Sequence, residues 1–250
     1  MLRSILKLWS NNVAWFPEAV RLQKEKAIDG VELYNNVSTP LDWEALKALK
    51  DANVVAIHNP HGQGWHDFFL TDEQHAHWEQ TKELADFFHA TRIIVHPART
   101  HNRETFFENM QKLDDSRVHI ENMAGLDINR EPMQFGATLE ELADIRKQIP
   151  ICFDLEKAVK AACREKVDYK RFIEEGIETL EPTYFHVSGG SSTDAKDEHL
   201  NLWEGDIDFV WIKQRLVSWA QDKEVFLAFE VPKKDGLAND VKNVEFFRKL

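Results

Sequence analysis

Eight short β-rich runs recur along the chain, each closing on a polar residue and each separated from the next by a longer stretch with helical periodicity. They are SILKLWS (4–10), GVELYN (30–35), NVVAIHNP (53–60), RIIVHPA (92–98), RVHIENMAG (117–125), PICFDLEKA (150–158), TYFHVSGG (183–190) and EVFLAFEVP (224–232). Consecutive parallel strands require a right-handed helical crossover between them. Eight β-then-α repeats in 250 residues therefore predict an α/β fold, a (β/α)8 barrel in one domain spanning residues 1–250. A doubly wound open sheet is the structural alternative. It lacks support, because Gly189–Gly190 follows a strand without the rest of a phosphate-binding fingerprint. No Pro/Gly/Ser-rich linker or low-complexity tract divides the chain. The intervening segments carry one-sided apolar faces, with Trp78, Leu84, Ala85 and Phe88 in 71–90 and Leu139, Leu142 and Ile145 in 136–149. Thr71 and Thr138 stand at expected N-caps, and Thr138 with Glu141 reads as a capping box.

Strand period two tells which side chains point into such a barrel. If His58 points inward, so do Ala56 and Val54. His96 brings Ile94, Glu121 brings His119, Asp154 brings Cys152, His186 brings Tyr184, and Glu230 brings Ala228 and Phe226. The third to eighth strands thus each end on an inward His, Asp or Glu, and their tips converge on the face where barrel loops build active sites. Three imidazoles and three carboxylates cannot be buried together as free charges, at a desolvation cost of roughly several kcal/mol per ion. A divalent cation, Zn²⁺ or Mn²⁺, resolves the conflict, with one or two ions held by His58, His96, Glu121, Asp154, His186 and Glu230. Taken singly, each residue has a plainer reading. A strand-end His is usually a hydrogen-bonded structural group, and Asp154 stands where it would cap the helix beginning near Leu155. Six in register favour the metal. His119, one layer below Glu121, is expected as a supporting partner, and His61 lies in the loop over the site, where substrate would meet it.

The motifs HNPHG, IIVHP, HIENMAG, FDLEKA, FHVSGG, DEHLNLWEGDID and FEVP, in this order from Val54 to Pro232, resemble the xylose isomerase-like TIM barrel superfamily, which holds endonuclease IV and many sugar isomerases and epimerases. The resemblance implies a divalent-metal site. Ketose epimerases imply one ion on Glu121, Asp154, His186 and Glu230, with Glu121 and Glu230 also the acid/base pair. Endonuclease IV implies a second ion on His58 and His96 bridged by Glu121, and a third on Asp197, His199 and a His three residues after Asp154. That last position is Lys157, and an ammonium cannot ligate a cation, so the third-ion set is incomplete; Asp197 and His199 then bind Lys157, orient substrate hydroxyls or hold a weak third ion with water. Two readings of Lys157 stand: a positive side chain in the site with a catalytic or substrate-binding part, or a surface lysine in the first turn of a helix.

The choice of reaction draws on composition. A formal net charge of −12, a loop NNVSTPLDW without Arg or Lys, and a loop after His58 that carries Trp65 but no basic residue offer few phosphate contacts. DNA is thus the weaker partner. The expectation is a metal-dependent isomerase or epimerase acting by proton transfer on a small sugar-like substrate, for which His61, Trp65, Arg99, Lys157 and Lys233 are candidate contacts. With Lys234, the basic residues after strand ends suit an anionic sugar phosphate or acid, or are solvated loop charges. An abasic-site phosphodiester hydrolase is the alternative, and a catalytically silent metal-binding barrel a third. Cys152 and Cys163 show no disulfide or thiolate-metal spacing, and no run reaches about 18 apolar residues. A soluble cytoplasmic protein is expected.

Overall fold

The computed structural model describes residues 1–61, 72–97, 102–126, 129–133 and 135–250. Trp65, Arg99 and the N-cap expected at Thr71 lie outside the described residues. Eight strands alternate with helices: β1 (Leu2–Trp9), α1 (Phe16–Lys24), β2 (Gly30–Tyr34), α2 (Trp43–Leu46), β3 (Val54–His58), α3 (Asp72–Phe88), β4 (Arg92–Val95), α4 (Arg103–Met110), β5 (Val118–Glu121), α5 (Leu139–Arg146), β6 (Ile151–Asp154), α6 (Leu155–Glu165), α7 (Tyr169–Leu180), β7 (Tyr184–Val187), α8 (Phe209–Trp219), β8 (Val225–Phe229) and α9 (Ala238–Lys249). Each strand pairs in parallel with the next, and β1 closes on β8, so the barrel has no free edge. The runs read from the sequence extend past several strand ends, because the chain turns into a loop directly after Glu121 and into α6 directly after Asp154.

Two apolar layers follow from the strand alternation. Outward residues such as Leu6, Leu33, Ile57, Ile93, Ile120, Phe153, Phe185 and Phe229 pack with the helices in one cluster. Ile5, Val55, Ala56, Ile94, Cys152, Tyr184 and Ala228 fill the barrel interior, with Phe226 packed against them. Small residues at 56, 152 and 228 leave room for the Tyr184 ring, as close packing of a barrel interior demands.

Val54 departs from the expected inward position. Val31 pairs with Val54 but Glu32 pairs with Ala56, so Val55 is an extra residue on β3. This bulge turns Val54 outward into the helix-facing cluster and puts Val55 inside.

Two features aim the mouth of the barrel. Asp154 ends β6 and is the N-cap of α6, its Oδ1 accepting from the Lys157 backbone N–H at 2.8 Å. After β7, segment 188–206 folds back on itself, with Gly189 and Leu200 exchanging backbone hydrogen bonds at 2.8 Å. Gly205, at φ +87°, lies so close to Gly190 that a Cβ would sit 2.1 Å from the Gly190 carbonyl oxygen. That fold brings Asp197 and His199 to the rim of the barrel.

Candidate metal centre at the barrel mouth

Two residues above the interior apolar layer, the same alternation places a polar one. Lys7 follows Ile5, His58 follows Ala56, His96 follows Ile94, Asp154 follows Cys152, His186 follows Tyr184 and Glu230 follows Ala228; β2 adds Glu32 and β5 adds Glu121. All eight strands contribute. Glu32, His58, Glu121, Asp154 and His186 have fully buried side chains, and those of Glu230, Lys7 and His96 are 8–10% exposed.

His186 lies at the middle of the cluster. Its Nε2 is 2.8 Å from Glu32 Oε2, and its Nδ1 is 3.1 Å from Glu121 Oε1 and 3.0 Å from Glu230 Oε1. Glu32 is itself fixed, accepting from the Tyr184 hydroxyl at 2.7 Å and facing the Lys7 ammonium at 3.0 Å. On the other side, His58 Nε2 and His96 Nε2 lie 3.1 and 2.6 Å from Glu121 Oε2, and Lys157 donates to Glu121 Oε1. Lys7 likewise pairs with Glu230 Oε1. His199 joins from the rim, with Nε2 2.9 Å from Glu230 Oε2 and Nδ1 2.8 Å from Asp197 Oδ1.

Burial sets the charge states. It pushes His58 down to about 4 and His96 down to about 3, each helped by a neighbouring lysine, and lowers His61 well below the usual imidazole range. These rings are neutral near pH 7 and keep a lone pair for a ligand. Burial also raises the Asp154 carboxyl. For Glu121 burial acts in the same direction but is outweighed by His96, Lys157 and His186, which hold it well below the carboxylate range.

The residues present fit a divalent ion. Asp154 Oδ2 and His186 Nδ1 are buried without a hydrogen-bond partner, and His186 Nδ1 meets two carboxylate oxygens at contact distance without hydrogen-bond geometry. Glu121, Asp154, His186 and Glu230 offer ligand atoms all within 4.8 Å of one another. Three carboxylates and one imidazole suit Mn²⁺, Zn²⁺ or Co²⁺, and a ring whose second nitrogen is tied to a carboxylate is how ligating histidines are oriented. His58, His61 and His96 form a separate, nitrogen-rich group of the same kind.

The six strand-tip residues read from the sequence are thus brought together. Lys157 is also inside, its side chain 3% exposed, which excludes the surface reading. Asp197 pairs with His199, which in turn pairs with Glu230, and neither Asp197 nor His199 belongs to a ligand-atom group among the described residues. His119 does not support Glu121; its Nδ1 turns to the Arg117 carbonyl at 2.9 Å. His61 is half-buried, its backbone N–H donating to the Tyr34 hydroxyl at 3.1 Å and its ring stacked 3.9 Å from that of His96. Lys233 is tied to Asp240, and Lys234 is exposed, 3.9 Å from Glu204. Sequence reasoning missed Lys7 and Glu32. Their signal was a charge inside an apolar parallel strand, which only a functional or paired group explains.

A cleft of about 600 Å³ opens over Glu230, walled by Lys7, Trp9, Tyr34, His61, His199 and Lys233. The chain matches the family model for the xylose isomerase-like TIM barrel over residues 20–250 and belongs to that family. Among solved structures it is similar to endonuclease IV from Thermus thermophilus, at 18% identity over 99% of this chain and 98% of that one, TM-score 0.69. It is also similar to a xylose isomerase domain containing protein from Salmonella typhimurium (19%, 99% and 94%, TM-score 0.63) and to D-psicose 3-epimerase solved in the presence of D-fructose (12%, 96% and 89%, TM-score 0.57). At such identities the likeness shows the fold, which hosts more than one chemistry. No match was found among curated protein sequences.

Proposed function

We propose that the protein is a divalent-metal-dependent isomerase or epimerase that moves a proton on a small, sugar-derived hydroxy-carbonyl substrate. The observation that carries this reading is the placement of Glu121 and Glu230. They come from strands three apart around the barrel, yet both reach the same nitrogen of His186, at 3.1 and 3.0 Å. Two carboxylates therefore flank one point from different sides. An ion held by Glu121, Asp154, His186 and Glu230 would polarise the substrate carbonyl and the adjacent hydroxyl. Glu121 would then take the proton from the carbon α to the carbonyl, while Glu230, having taken up a proton from solvent, would deliver it to the other face. Lys157, on Glu121, helps to keep that carboxylate ionised as the proton acceptor, and Lys7 fixes Glu230 in position. Trp9 and Tyr34 supply an apolar wall for a sugar-sized molecule, and His61 and Lys233 its polar edge, where an anionic group would sit.

One observation favours a second reading, metal-dependent phosphodiester hydrolysis at abasic sites in DNA: the ring nitrogens of His58, His61 and His96 beside Glu121 offer a place for another ion. The net charge of −12 weighs against a DNA substrate.

Incubation with Mn²⁺ or Zn²⁺ and a panel of ketoses, sugar phosphates and hydroxy acids in deuterated water separates the two. Deuterium should enter at the carbon α to the carbonyl, and Glu230→Gln should reduce that exchange by about 10²-fold or more. No exchange across the panel, together with incision of an abasic-site duplex, would replace the isomerase reading by the hydrolase.

A further inference from the structure

We propose that Lys157 is a resident cation that confines the centre to one divalent ion, because its ammonium stands between the two candidate ion positions, beside an imidazole nitrogen that a second ion would need. This rests on the metal-centre reading above. Glu121 is shared between the two candidate ion positions: its Oε1 faces His186 in the carboxylate-rich set, and its Oε2 faces His58 and His96 in the imidazole set. The Lys157 ammonium stands at that junction. It donates to Glu121 Oε1, lies 3.4 Å from His96 Nε2 and is 3.9 Å from Asp154 Oδ2.

The helix fixes it there. Lys157 is in the first turn of α6, its backbone N–H bound by the Asp154 cap, and its side chain is buried along its whole length. A transition metal bonds imidazole nitrogen at about 2.1 Å, so an ion on His96 Nε2 would lie at most about 5.5 Å from this ammonium, in surroundings that screen little charge.

The balance of charge agrees. Glu32, Glu121, Asp154 and Glu230 bring four negative charges into the polar layer, and Lys7 and Lys157 bring two positive ones. One divalent ion completes neutrality. A second would leave a buried positive excess in that layer, and the rim carboxylate of Asp197 is already paired with His199.

Elemental analysis and native mass spectrometry of the full chain, equilibrated with Zn²⁺ and freed of loose metal, count the ions. The expected result is one ion for the wild type and for Lys157→Arg, and two for Lys157→Gln and Lys157→Met. The added ion should disappear again when His96→Ala is combined with Lys157→Gln. Two ions in the wild type, or one ion in folded Lys157→Gln and Lys157→Met, would overturn the proposal. A folded wild type without any ion removes the centre and this proposal with it. Should the uncharged variants fail to fold, the wild-type count alone still decides, two ions being fatal.

Discussion

Asp154 serves two structures with its two oxygens. Oδ1 caps α6 through the Lys157 N–H, while Oδ2 is buried without a hydrogen-bond partner and faces the ligand cluster. The two parts can be separated by substitution. Asp154→Asn keeps a good cap, whereas Asp154→Ala removes it. Both relieve the repulsion with Glu121 in metal-free protein, so the difference between them isolates the cap. In urea unfolding with chelator, the alanine variant should be less stable than the asparagine variant by about 1 kcal/mol. Both should lose the Zn²⁺-dependent rise in melting temperature that the wild type shows. Equal stability of the two variants would mean the cap does not hold α6.

At this scale the sequence disclosed much. The strand-tip residues 58, 96, 121, 154, 186 and 230 were legible because period two is a property of any strand. Lys157 stayed ambiguous, since a lysine in a helix's first turn is ordinarily solvated, and only the packing of α6 against the barrel shows its burial. Lys7 and Glu32 were not legible because they do not close their strands. They sit within β1 and β2, and their pairing with Glu230, His186 and Tyr184 spans more than 150 positions.

Among the elements, α5 is the clearest case of local information fixing local structure. Thr138 accepts from the Glu141 N–H at 3.3 Å, Glu141 returns the bond to the Thr138 N–H at 3.0 Å, and Leu142 and Ile145 are buried on one face. Thr138→Ala should destabilise the protein by about 1 kcal/mol, read as a lower urea midpoint at unchanged slope. A change within error would show that Glu141 alone secures this end. The bulge at Val55 is the opposite case. Nothing in NVVAIHNP marks it, because register is set by pairing with β2, where Gly30 and Val31 meet Asn53 and Val54. The same holds for segment 188–206, whose closure depends on Gly205 meeting Gly190, and so for the contact of His199 with Glu230.

For the molecule as a whole, the eightfold recurrence was readable because each parallel strand demands its crossover, and few topologies satisfy eight in succession. The reaction was not, since the family's barrel hosts unlike chemistries and the deciding features are a few contacts at its mouth. Chief among these, under the proposed function, is a shared cation that would offset the burial of so many charged groups. Anomalous diffraction from crystals grown with Zn²⁺ is the most direct measurement. The expected result is a peak bonded to Glu121, Asp154, His186 and Glu230 at about 2.0–2.2 Å. A folded barrel with no peak among those four side chains, or with metal only on surface carboxylates, would contradict it.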